Sequence, residues 1–208
     1  VTYTVEGQLG GIYLDTIDGF DLAAGDAFTL SYIFDDTTGS GYVGGASQYS
    51  LTGFSFTISN AGTTYSTNIL LSGEAQHLDN TNLASGTYDY IYLYANSGAL
   101  NSGNIELNTA RIDLYDSDAS VLSSSFPALP DSATLGNFDS SYYQFLFTTQ
   151  VNGQTSYLQT YGYNALTSFQ VVRDGGGDPT NPVPEPATVL LFGAGLAGLA
   201  AAGRRRRL

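Results

Sequence analysis

The chain of 208 residues has room for one ordinary domain and a short appendage. With no Cys, Met or Trp but 16 Tyr and 11 Phe, it excludes a disulfide scaffold, a zinc-thiolate site and any cysteine nucleophile. Its net charge of -13 hides an asymmetry, because four of its six basic residues are Arg204 to Arg207, none is Lys, and the acidic remainder repels phosphate backbones; nucleic acid is not an expected partner.

Only 12% of residues are charged, so Ser, Thr, Asn, Gln and Tyr must supply most of the hydrogen-bonding surface. Without Met, Val1 is not a translation start, and a leader of the signal-peptide kind is expected ahead of it. From the N-terminus, residues 1–173 carry short apolar and aromatic alternations divided by Gly, Asn, Asp and Ser clusters, the pattern of an all-β domain. The predicted strands begin with Thr2–Val5. Phe28, Leu30, Tyr32 and Phe34 then alternate with mostly polar residues, which predicts a strand with an aromatic face inward. Phe54, Phe56 and Ile58 repeat the pattern, and Tyr88–Ala95, Ala110–Tyr115, Tyr142–Thr149 and Thr167–Val172 are further strands. Eight to ten strands without crossover helices predict an antiparallel β-sandwich with jelly-roll or Greek-key connections.

Residues 174–186 form a Gly/Pro linker, since Gly loosens the backbone and Pro blocks helix and central strand alike. Residues 187–203 are uncharged and predict one C-terminal transmembrane helix, helped by arginines that snorkel to the headgroups. Residues 204–208 follow as a basic tail. The positive-inside tendency keeps Arg204, Arg205, Arg206 and Arg207 in the cytoplasm and puts the β-domain across the membrane.

Val183-Pro184-Glu185-Pro186-Ala187, the apolar span and the terminal arginines together resemble a PEP-CTERM sorting signal over residues 183–208. This resemblance implies a Gram-negative bacterial protein that is exported, held in the inner membrane and processed near the Pro-Glu-Pro triplet by an exosortase. It also implies a place in the cell-surface or extracellular polysaccharide matrix of a biofilm. Pro184, Glu185 and Pro186 are then recognition elements for another enzyme. Ahead of the tail, Ala24–Phe28 leading to Tyr32–Asp35, Leu51–Asn60 and Ile112–Asp116 resemble a loosely defined PEP-CTERM β-sandwich group with no activity to carry over.

Tyr88, Tyr90, Tyr92 and Tyr94 fall on one face of their strand, with Ile91, Leu93 and Ala95 on the other. An exposed tyrosine row can stack on sugar rings and bond their hydroxyls, although Tyr also suits strands and packs across them. Asp113, Asp116 and Asp118, like Asp35-Asp36 and Asp15 with Asp18 and Asp21, are candidate calcium ligands because hard cations take clustered carboxylates; Asp is equally a turn residue. No other cofactor is expected. Glu6, Glu74 and Glu106 have no motif that pairs them for glycoside hydrolysis. His77, the only histidine, is expected in a loop, outside any catalytic triad. These residues favour a non-enzymatic, matrix-associated module that binds polysaccharide, with a matrix-modifying hydrolase or lyase carrying the same tail as the alternative.

Overall fold

The computed structural model of the chain describes residues 1–13, 17–36, 40–43, 46–83, 86–101, 103–122, 133–151 and 154–173. Val1–Val172 forms one compact unit, and the chain divides after it. The linker, the predicted membrane-spanning segment and the basic tail lie outside the described residues. Among the described residues, no helix is long and apolar enough to cross a membrane.

Twelve strands are described: β1 (Thr2–Gln8), β2 (Gly11–Tyr13), β3 (Ala27–Phe34), β4 (Ser40–Val43), β5 (Ala46–Asn60) and β6 (Thr63–Thr67), followed by β7 (Leu70–Leu83), β8 (Gly86–Ser97), β9 (Ile105–Asp116), β10 (Ser140–Val151), β11 (Gln154–Tyr163) and β12 (Leu166–Val172). They pair antiparallel in the order β12-β1-β3-β5-β7-β8-β9-β10-β11-β2, with β4 and β6 also on β5. The expected all-β antiparallel class is therefore found, but the connectivity differs. Sequential neighbours from β7 to β11 pair as a meander, in place of jelly-roll or Greek-key connections, and one continuous curled sheet replaces two separate ones.

The 15-residue strand β5 explains that continuity. Its first part, Ala46 to Ser50, pairs with β7, while Leu51 to Ser59 pairs with β3. Gly73 makes the turnover sterically possible: a Cβ there would sit 2.6 Å from both Leu51 Cδ1 and the Tyr94 carbonyl oxygen. β5 then returns into β6 through Ala61-Gly62, whose φ angles of 45° and 88° are both positive, as a two-residue hairpin with the native strand twist requires.

The core lies between the inward faces of the two halves of the sheet. As the alternation predicts, Phe28, Leu30, Tyr32 and Phe34 are buried, and so are Phe54, Phe56 and Ile58. Phe28 and Phe56 of one half meet the Phe145 ring of the other edge-on at 4.8 and 5.3 Å, and the Tyr32 hydroxyl donates to the Ala110 carbonyl at 3.2 Å. Burying each such side chain contributes roughly 1.5–3 kcal/mol, so these cross-layer rings help hold the two halves together.

His77 corrects the loop assignment. It lies in β7, fully buried, its ring parallel to Tyr3 at 5.7 Å and tilted on Tyr49 at 5.0 Å. The Tyr3 hydroxyl and His77 Nε2 are 3.3 Å apart. Flat aromatic surroundings accept an imidazole as one more ring, which is why a histidine fits this core.

Candidate functional site

The two outer faces of the sheet have opposite chemistry. Across β1, β3 and β5 the outward positions are Thr2, Thr4, Glu6, Thr29, Ser31, Ile33, Gly53, Ser55 and Thr57, small and mostly hydroxylic. Across β8 to β11 and β2 they are dominated by tyrosine. Tyr88, Tyr90, Tyr92 and Tyr94 of β8 share their face with Tyr115 of β9, Tyr142 of β10, Tyr157, Tyr161 and Tyr163 of β11 and Tyr13 of β2. If strand propensity alone placed these residues, both outer faces would carry them.

The predicted orientation of β8 is found: Ile91, Leu93 and Ala95 are fully buried and the four tyrosines face outward, half-buried. The register then shows what surrounds them. One row across the strands runs Gln76, Tyr92, Asp113, Tyr142 and Tyr163; the next runs Glu74, Tyr94, Arg111, Gln144 and Tyr161.

At the centre, Arg111 Nε donates to Asp113 at 2.9 Å, and its Nη2 lies 2.8 Å from the same carboxylate. The guanidinium sits 5.1 Å from the Tyr92 ring centre and 5.7 Å from that of Tyr142, within cation–π range of both. Tyr90 donates its hydroxyl to Asp113 at 2.9 Å and stacks on Tyr115 at 4.8 Å. Asp113 is thereby 1% exposed although it lies on an outer face. Burial raises its pKa above the usual carboxylate value, against the opposing hydrogen bonds from Arg111 and Tyr90. Desolvation, reinforced by the Asp113 charge, also pushes the Tyr90 phenol well up, so its hydroxyl remains a donor at any physiological pH.

Further along the face, the Tyr92 and Tyr94 rings are parallel at 6.3 Å, and Tyr13 and Tyr161 are stacked at 4.2 Å. Glu74 accepts amide hydrogen bonds from Gln48 and Gln76. The arrangement offers flat apolar rings, phenol hydroxyls, amides and one guanidinium in a single sheet, the donor and acceptor set that polyhydroxylated ligands use. β11 and β2 supply four of these tyrosines, which sequence reasoning missed; alternate tyrosines at 157, 161 and 163 were the available signal.

The aspartates predicted for calcium are not brought together. Asp113 and Asp116 occupy opposite faces of β9, and Asp118 is exposed in the turn that follows. Asp116 accepts backbone N–H groups of Asp118, Ser120 and Val121 at 3.2, 2.8 and 3.0 Å, so its role here is to close a turn. The buried Asp89, opposite Asp116 in the ladder, accepts the Leu122 N–H at 2.7 Å. Asp18 and Asp21 are exposed, and Asp15 lies outside the described residues. Among the described residues, no group of three or more His, Asp or Glu is placed to hold a metal ion. Glu6 lies on the hydroxyl face, across the sheet from Glu74 and Glu106. A depression of about 540 Å³ near Phe56, Thr57, Asn68, Ile69 and Leu100 has no acid or base in its lining.

Residues 182–207 match the family model of the PEP-CTERM protein-sorting motif. The match contains Val183, Pro184, Glu185, Pro186 and Ala187 together with Arg204, Arg205, Arg206 and Arg207, all outside the described residues. The motif implies export, sorting to the cell surface and processing by exosortase. No curated protein and no solved structure matches the chain.

Proposed function

We propose that this PEP-CTERM sorting-motif protein is a non-enzymatic module of the extracellular matrix, which holds polysaccharide on the tyrosine face of its sheet once its anchor is processed. The observation that carries the reading is the segregation of ten of the 16 tyrosines to one outer face while the opposite face is mostly Ser and Thr. Tyrosine presents a broad, rigid surface with few side-chain torsions to order, and its hydroxyl stays in reach of sugar hydroxyls.

In this reading residues 187–203 hold the chain in the inner membrane before processing, with the β-domain on the far side. The linker at 174–186 gives the exosortase access to Pro184-Glu185-Pro186, and the arginines hold the tail on the cytoplasmic side.

The test is co-precipitation with the extracellular polysaccharide of the protein's own source, comparing the natural chain with a Tyr92→Ser/Tyr94→Ser variant. Saturable binding by the natural chain, reduced about tenfold or more in the variant and with no sugar product released, is the expected result. Equal co-precipitation of both chains removes the tyrosine face from the account, and release of oligosaccharide makes the protein a matrix-modifying hydrolase or lyase.

A further inference from the structure

We infer, resting on the polysaccharide reading above, that the binding surface is completed by Tyr142, Tyr161 and Tyr163, and that its ligand is an uncharged polysaccharide chain lying across the strands. Three observations lead there.

Accessibility is the first. The β8 tyrosines are half-buried, and Tyr90 is committed to Asp113 and Tyr115, whereas Tyr163 is 74% exposed and its ring meets that of Tyr142 at 4.9 Å. Tyr90 is therefore a positioning residue that fixes Asp113. The rings accessible to a ligand extend from Tyr92 and Tyr94 of β8 towards β11.

Register is the second. Tyr92, Asp113, Tyr142 and Tyr163 align across four neighbouring strands, with Tyr94, Arg111, Gln144 and Tyr161 in the adjacent row. Tyr92 and Tyr142 are two strands apart, about 9.6 Å, roughly the length of two pyranose units in an extended chain. Between them, Asp113 engages the Nε and Nη2 side of Arg111, and the guanidinium, whose side chain is 35% exposed, has further N–H groups for sugar hydroxyls. A sugar chain across the strands thus meets ring, hydrogen-bonding centre and ring in turn.

Charge is the third. The sequence has no Lys, and among the described residues Arg111 is the only arginine in the strands of this face; its charge is matched by Asp113, leaving Glu74 and Glu106 uncompensated. An anionic polymer is repelled by this face and by the acidic domain behind it, while a neutral one meets no such barrier.

Affinity electrophoresis of the full chain in mild detergent tests the inference, with hydroxyethylcellulose or dextran as neutral probes and alginate as the acidic one. Tyr161→Ser/Tyr163→Ser is compared with Tyr92→Ser/Tyr94→Ser, each checked for an unchanged circular dichroism spectrum and thermal midpoint. Retardation by a neutral polymer, weakened about tenfold or more in both variants, is expected. Loss only in the β8 variant overturns the extension to β11 and leaves the polysaccharide reading intact. Retardation by alginate alone overturns the choice of an uncharged ligand, again sparing that reading. No retardation of the natural chain by any of the three overturns both.

Discussion

Replacing Phe145 with Ala tests whether the inner faces of the curled sheet meet as described. Phe145 is fully buried and touches rings from both halves: Phe28 at 4.8 Å and Phe56 at 5.3 Å across the core, Tyr143 at 4.9 Å and Phe147 at 6.4 Å along its own strand. Truncating such a side chain removes its transfer free energy and leaves a cavity that rigid neighbours cannot fill, about 3–5 kcal/mol in all. In a domain of this size each kcal/mol lowers Tm by about 2–4 °C, so the midpoint should fall by roughly 6–20 °C. Urea unfolding is followed by far-ultraviolet circular dichroism and by tyrosine fluorescence, which no Trp obscures. The exposed Tyr163→Ala serves as control and should change stability by less than about 0.5 kcal/mol. A double-mutant cycle with Phe28→Leu isolates the cross-layer contact, with an expected coupling of about 0.5–1.5 kcal/mol. A cost below about 1 kcal/mol for Phe145→Ala, together with zero coupling to Phe28, refutes the packing of the two halves.

Two further substitutions probe the buried carboxylate of the tyrosine face and the close approach of β5 to β7. Asp113 has a raised pKa in the folded state, so between the usual carboxylate value and that raised value the folded chain binds a proton that the unfolded chain has released. Stability therefore falls as pH rises through this window, and the Tm advantage of Asp113→Asn over the natural chain should grow from acid towards neutral pH. A shrinking advantage means that Arg111 and Tyr90 outweigh burial and hold the carboxyl low. Gly73→Ala places a methyl against the Tyr94 carbonyl and Leu51, and should cost about 1–3 kcal/mol, since backbone on one side cannot move aside cheaply. An unchanged urea midpoint shows that β5 and β7 do not approach as closely as the structure has them.

Period-two alternation made β1, β3, β5, β8, β9, β10 and β12 legible, because each carries large apolar residues on its inward face. β7 and β11 break that rule in different ways. In β7, Gly73, Asp79 and Asn80 look like turn residues, and register shifts between Leu70 and Ser72 and between Leu78 and Thr81 interrupt the parity. In β11 the polarity is reversed, with tyrosines outward and Leu158, Thr160 and Gly162 inward. Thr160 bonds the Gly11 carbonyl at 2.8 Å, and Gly162 leaves room for the Tyr143 ring. An aromatic pattern turned outward cannot be distinguished in sequence from one turned inward until the partner strands are known. The β8 row was readable because Ile91 and Leu93 supply a better core face than four phenols. Its continuation across β9 to β11 was not, since it depends on register between strands up to about 70 residues apart. The aspartates after residue 112 shared a stretch of chain, but parity divides them between two faces.

The most direct test of the sorting tail is the mass of the protein recovered outside the cells of its source, measured beside a strain lacking its exosortase. A product ending near Pro184 to Ala187 is expected in the first strain and an intact, membrane-held chain in the second. Intact chain in the membranes of both strains would contradict this and make the protein a permanently anchored surface protein.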